Sequence, residues 1–91
     1  MTVRDVEYTF TRKLGASRDR SGHHIFFYFR DGEADYTVGK ISHSWSGQLN
    51  DTQILMLAKK LYLAKQEFED FVDCGLATNQ MLRVWRERRA R

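Results

Sequence analysis

Ser21-Gly22-His23-His24-Ile25-Phe26-Phe27-Tyr28-Phe29-Arg30-Asp31-Gly32-Glu33 carries the fold in its pattern. A flexible Ser-Gly step and two adjacent histidines lead into a run of Ile and aromatic residues, the composition of a β-strand. Asp31-Gly32 then supplies the dipeptide of a tight hairpin turn, so residues 34–42 are expected to return as a second strand. With Asp31-Gly32 as the central turn residues, Phe29 faces Ala34, Phe27 faces Tyr36 and Ile25 faces Val38. The two-residue period of a strand puts these six on one apolar face. Phe26 and Tyr28 then project to the other face with Asp35 and Thr37. In the same register His23 lies opposite Lys40.

Before this hairpin, Val3, Val6, Phe10 and Leu14 recur at helical spacing. Thr2 is a candidate N-cap and Gly15 a candidate C′ residue, so a first helix is expected there. Ala16 to Arg20 is short and polar, a first edge strand or an extended link. His43 to Gln48 is expected to be a loop. Asn50 or Asp51 can cap the next helix, with Leu49 as a hydrophobic staple. Its buried stripe is Ile54, Leu57, Ala58 and Leu61, and a second apolar set, Phe68, Phe71 and Val72, ends at Gly75. No Gly or Pro separates the two sets, so one bent helix and two helices both fit. Thr78 or Asn79 can cap a last, basic helix carrying Met81, Leu82 and Trp85.

The fold class is therefore α+β: a three-stranded antiparallel sheet with helices packed on one face, in the order α-β-β-β-α with C-terminal helices after it. Residues 1–75 are expected to form the domain and residues 76–91 a basic helical extension. The chain has 91 residues, 42% hydrophobic and 30% charged, which suits a folded protein rather than a disordered one. No apolar run is long enough to span a bilayer. The first residues contain no apolar h-region, so no signal peptide is expected. Cys74 is the lone cysteine and is expected to be inert; a reducing cytoplasm is the expected setting. The net charge of +3 is uneven. The last nine residues carry +4 and residues 1–82 carry −1, so the basic character belongs to the tail and gives no field over the whole molecule.

The same order of pieces resembles the HicA family of small toxins, mRNA interferases with a double-stranded-RNA-binding-domain-like fold. The matching pieces are Arg12-Lys13-Leu14-Gly15-Ala16, Arg18-Asp19-Arg20-Ser21-Gly22-His23-His24-Ile25, and Leu57-Ala58-Lys59-Lys60-Leu61 followed by Glu67-Phe68. The resemblance covers roughly residues 3 to 73. It departs from the family in three respects: Ser21-Gly22 inverts the family's Gly-Ser, the third strand lacks a Pro, and Glu67, Glu69, Asp70 and Asp73 make the second helical segment acidic.

The resemblance implies metal-independent RNA cleavage with His23 in the place of the family histidine. Such cleavage needs one group to take a proton from a 2′-hydroxyl and another to protonate the leaving oxygen, and imidazole suits both steps near neutral pH. Lys40, the expected neighbour of His23, would stabilise the charge on phosphorus. Arg12, Lys13, Arg18 and Arg20 would hold RNA phosphates. Phe26 and Tyr28 are a partner surface or a platform for bases. The resemblance also implies an antitoxin protein as partner. Neither a cofactor nor a metal is expected: neighbouring strand residues point to opposite faces, so His23 and His24 cannot share an ion, and no Cys or carboxylate completes a set with His43. The plainer alternative is a non-catalytic RNA-binding or protein-interaction module of the same fold, with His23 a solvated surface residue.

Overall fold

The first helix starts where the Thr2 side chain can cap it. In the computed structural model, which describes residues 1–91, Thr2 Oγ1 accepts from Asp5 N at 3.1 Å and Asp5 Oδ2 accepts from Thr2 N at 2.8 Å, a reciprocal capping box. Helix α1 runs Val3–Tyr8 and widens into a π-helical turn over Thr9–Lys13. The buried Thr9 hydroxyl is satisfied by Asp5 O at 2.8 Å, and Thr11 bonds back to Glu7 O at 2.7 Å. Leu14 N reaches Thr9 O at 2.9 Å, and Gly15 leaves the helix at φ +79°. Helical spacing marks the extent of this segment, but nothing in that spacing separates an α turn from a π turn.

Three strands follow: β1 (Ser17–Ser21), β2 (His24–Asp31) and β3 (Ala34–Ser42), antiparallel in the order β1-β2-β3. The expected register is wrong in two places. First, Asp31 pairs with Ala34, so the turn is Gly32-Glu33 and not Asp31-Gly32. Gly32 has φ +68°, which places glycine at the first central position, as in a II′ hairpin. Second, a bulge lies beyond the Tyr28↔Thr37 pair, where Val38 is the extra residue. Phe29 therefore faces Tyr36 rather than Ala34, Phe27 faces Gly39 rather than Tyr36, and Ile25 faces Ile41 rather than Val38.

The bulge lets Tyr36, Val38 and Ile41 serve one face although their numbers differ in parity. Ile25, Phe27, Val38 and Ile41 are buried; Phe29 and Tyr36 are half-buried and Ala34 is exposed. Phe10 of the helical segment stacks on Phe27 with ring centroids 4.8 Å apart. Gly39 makes room for that ring: a Cβ there would stand 2.6 Å from Phe10 Cζ. Phe10 is fully buried and cannot swing aside. Gly39→Ala is expected to cost about 1–3 kcal/mol by overpacking. An unchanged urea midpoint would show that the ring has room to yield.

The chain divides into two compact units, Met1–Leu49 and Asn50–Arg91, a boundary inside the 1–75 span expected as one domain. In the first unit the segment after β3 returns beside the N-terminus, with Leu49 N on Met1 O at 2.9 Å and Val3 N on Gly47 O at 3.2 Å. The second unit holds α2 (Asp51–Lys60), α3 (Lys65–Val72) and α4 (Thr78–Arg89). Asn50 caps α2, exchanging bonds with Gln53 at 2.8 and 2.9 Å. The two apolar sets lie on separate helices. The break falls at Tyr62, whose φ of 58° ends α2 without a glycine. The last helix is capped at Ala77 rather than at Thr78 or Asn79, because Gln80 Oε1 reaches back to Ala77 N at 3.1 Å.

The basic tail belongs to this second unit. Met81 and Trp85 are buried. Arg88 grips both carboxylate oxygens of Glu67, at 2.7 and 3.0 Å, and donates to Tyr62 O at 2.8 Å. This pairing holds the Glu67 carboxyl below its ordinary range, chiefly through the Arg88 bond and then through Ala64 N. Arg89 lies over the Trp85 ring at 4.4 Å. The chain is thus an α+β protein with a three-stranded antiparallel sheet and four α-helices. None of its helices is long and apolar enough to cross a membrane.

Candidate nucleic-acid site

The β1–β2 connection is a two-residue turn. Ser21 pairs with His24, and Gly22 turns the chain at φ +60°. His23 is therefore the second turn residue, exposed to solvent, and not the first residue of strand β2. The slip of register also moves Lys40 away from it. Lys40 pairs with Phe26 and holds its ammonium 5.7 Å from the centre of that ring. His23 instead meets His43, whose backbone N–H donates to His23 O at 2.9 Å.

His43 is held by its own local turn. Trp45 N donates to Ser42 O at 3.0 Å, closing a β-turn with His43 and Ser44 at its centre. The Ser42 hydroxyl accepts from Ser44 N at 3.2 Å and lies 2.9 Å from the Ser44 hydroxyl. Arg20 Nε donates to His43 Nε2 at 3.1 Å. A nitrogen that accepts this bond carries no proton, so the geometry holds His43 as a neutral imidazole with its proton on Nδ1. Loss of hydration lowers the His43 pKa first, and the positive charges of Arg20, His23, Arg18 and His24 add to it.

One end of the sheet thus gathers His23, His43 and Arg20, with His24 pairing opposite Ser42 at the same end. No three ligating side chains converge there as a metal site. Its means are two exposed imidazoles and a guanidinium, enough to move protons and to bind an anionic oxygen. His43 was not among the residues expected in the site. Its signal in the sequence is indirect: Gly39 inside a strand marks a bulge, and a bulge changes which residue reaches the end of β2.

The other expected residues fall into separate places. Arg18 and Arg20 pair with Phe27 and Ile25, which puts them on the helix-facing side of the sheet. Arg18 reaches Glu7 at 3.7 Å. Arg12 and Arg18 border a hollow of about 610 Å³ on α1, with Arg4 and Tyr8. Lys13 is half-buried in the π turn. Phe26, Tyr28 and Lys40 lie on the opposite face. There His24, Phe26 and Tyr28 form a row, with centroids 6.1 and 6.2 Å apart. The five cations expected to grip RNA therefore do not form one surface. Only Arg20 stands against the histidines.

Compared with known proteins, the chain matches no family model, no curated protein and no solved structure.

Proposed function

We propose that this chain is a metal-independent endoribonuclease of the HicA toxin type on a double-stranded-RNA-binding-domain-like fold. The observation that carries the reading is the junction of His23, His43 and Arg20 at one end of the sheet. The strand order and the placing of α1 against one sheet face accord with that fold. His43, held neutral, takes the proton of the ribose 2′-hydroxyl. The 2′-oxygen attacks phosphorus, the bond from phosphorus to the 5′-oxygen breaks, and a 2′,3′-cyclic phosphate is left. His23, protonated, gives its proton to the departing 5′-oxygen. Arg20 turns from His43 to the non-bridging phosphate oxygens, where a guanidinium offers paired donors. His23 keeps the acid/base role that the resemblance implies; His43 joins it, and Lys40 leaves the site for the other face. The reading brings with it a neutralising partner protein and work in the cytoplasm.

The test is cleavage of an RNA oligonucleotide in the presence of a chelator. The expected product ends in a 2′,3′-cyclic phosphate. The rate should rise with pH as His43 loses its proton, and the lowered pKa of that ring puts the rise below the ordinary imidazole range. Arg20→Gln removes a positive neighbour, so the rise should move to higher pH as well as losing amplitude. A product with a free 3′-hydroxyl, or activity only after metal is added, would refute the mechanism. A folded protein that binds RNA and cuts none would favour the non-catalytic module, to which the aromatic row on the sheet is equally suited.

A further inference from the structure

We infer that the sheet face opposite α1 binds a single-stranded nucleic acid, with bases on the rings of the row His24–Phe26–Tyr28. The inference deepens the RNA reading above and rests on it for the identity of the strand. The rings recur at every second residue of β2, at centroid steps of 6.1 and 6.2 Å. That step is too long for bases stacked on one another. It suits an extended strand whose bases are splayed and each meet a separate ring. Phe26 and Tyr28 lie within 21° of parallel, so two successive bases can keep one orientation, while the His24 ring is tilted 49° from Phe26 and turns the base that meets it.

The polar groups on this face are placed for such a strand. Lys40 is exposed, with its ammonium over the Phe26 ring at 5.7 Å; a base stacked on that ring would turn the ammonium aside to the neighbouring phosphate. Around Tyr28 lies a hollow of about 670 Å³, bounded by Ser17, Asp19, Asp35 and Thr37, with Arg30 paired to Asp35 at 3.4 Å; their oxygens can meet base edges, and the two carboxylates turn the phosphates outward from this hollow. At the other end the row stops at His24, beside the turn that carries His23 and abuts His43 and Arg20. Strand addition by a protein partner finds a poor template in β1. All five of its residues are exposed, and Arg18, Asp19 and Arg20 stud this sheet edge with charge. A rigid duplex cannot offer splayed bases to the row, so the ligand class is single-stranded.

Octadeoxythymidylate is the probe, because it lacks the 2′-hydroxyl and cannot be cut by the proposed reaction. Binding to the full chain is read by fluorescence anisotropy. Phe26→Leu and Tyr28→Leu keep an apolar side chain but remove the ring. Each is expected to weaken binding about 5- to 100-fold, and Phe26→Trp to restore or improve it. Unaltered thermal melting certifies the fold of each variant. The salt dependence should be shallow, since few phosphates are neutralised. Duplex RNA of equal length should bind at least about tenfold more weakly than the single strand.

Wild-type affinity in both Leu variants would overturn the inference. So would equal binding of duplex, or a larger loss in Arg12→Gln than in the ring variants. Loss of a protein partner in the Leu variants, with octadeoxythymidylate binding intact, would assign the face to that protein and overturn it too. The two readings fail separately. Ring-dependent binding without any RNA cleavage removes the nuclease and leaves the face. Cleavage that the Leu variants leave unchanged in rate and affinity removes the face and leaves the nuclease.

Discussion

His43→Ala is expected to slow RNA cleavage by about 10²- to 10⁴-fold while leaving the protein folded. The exposed ring contributes nothing to the core, and the backbone bond from residue 43 to His23 O survives the substitution. His23→Ala should lose a comparable factor, since the turn it occupies depends on Gly22 and not on the imidazole. The double variant should fall little further than either single one, because a base without its acid partner is already idle. His24→Ala should do less to the chemical step. Its ring lies 6.1 Å from Phe26 in the aromatic row, so its loss should appear in affinity. Single-turnover rates at saturating RNA separate these effects. Full cleavage by folded His43→Ala would remove His43 from the chemistry and return the question to His23 alone.

Why His43 escaped the sequence, when His23 did not, is a matter of register. Strand composition, the glycine turns and the apolar periods of the helices are local signals, and they place the helix at Val3, three strands and a helix after Asn50 close to where they stand. Which residue faces which across a hairpin is set by the turn and by any inserted residue. A shift of one residue at the Gly32-Glu33 turn moves each partner by two positions. The bulge at Val38 moves the far end by one more. Together they replace Lys40 with His43 beside His23. The bulge shows in the sequence as two conflicts. Gly39 interrupts a strand, and Ile41 is out of phase with Tyr36 and Val38. Both vanish when Val38 is the extra residue. Nearness along the chain groups the basic residues wrongly. Alternation in β1 sends Arg18 and Arg20 to one face while Lys40 sits on the other, and chain proximity carries no such information. The caps at Ala64 and Ala77 were illegible for another reason: the capping group is the side chain three residues on, Glu67 or Gln80, and the cap position itself is an alanine.

Phe27→Ala is expected to destabilise the protein by about 3–5 kcal/mol, the largest loss of any single substitution in the sheet. The side chain is fully buried, stacks on Phe10 at 4.8 Å with rings 22° apart, and faces the glycine that leaves room for that stack. Truncation removes the ring from under Phe10, and no neighbour on β3 can fill the space, because residue 39 has no side chain. The bulge keeps Ile41 opposite Ile25 and Tyr36 opposite Phe29, so each is committed to its own layer. Phe29→Ala should cost less, since Phe29 is half-buried. Phe26→Ala should cost less again in stability, because its ring lies on the outer face, and should be felt instead in ligand binding. Urea unfolding of the three variants gives the order. If Phe26→Ala proves the more damaging substitution, the strand is turned over relative to this structure. His24 would then face the helix and the histidine end of the sheet would lose its arrangement as well. Stability and function thus test one register: the bulge that sets Gly39 opposite Phe27, leaving room for the Phe10 ring, is the bulge that brings His43 to His23.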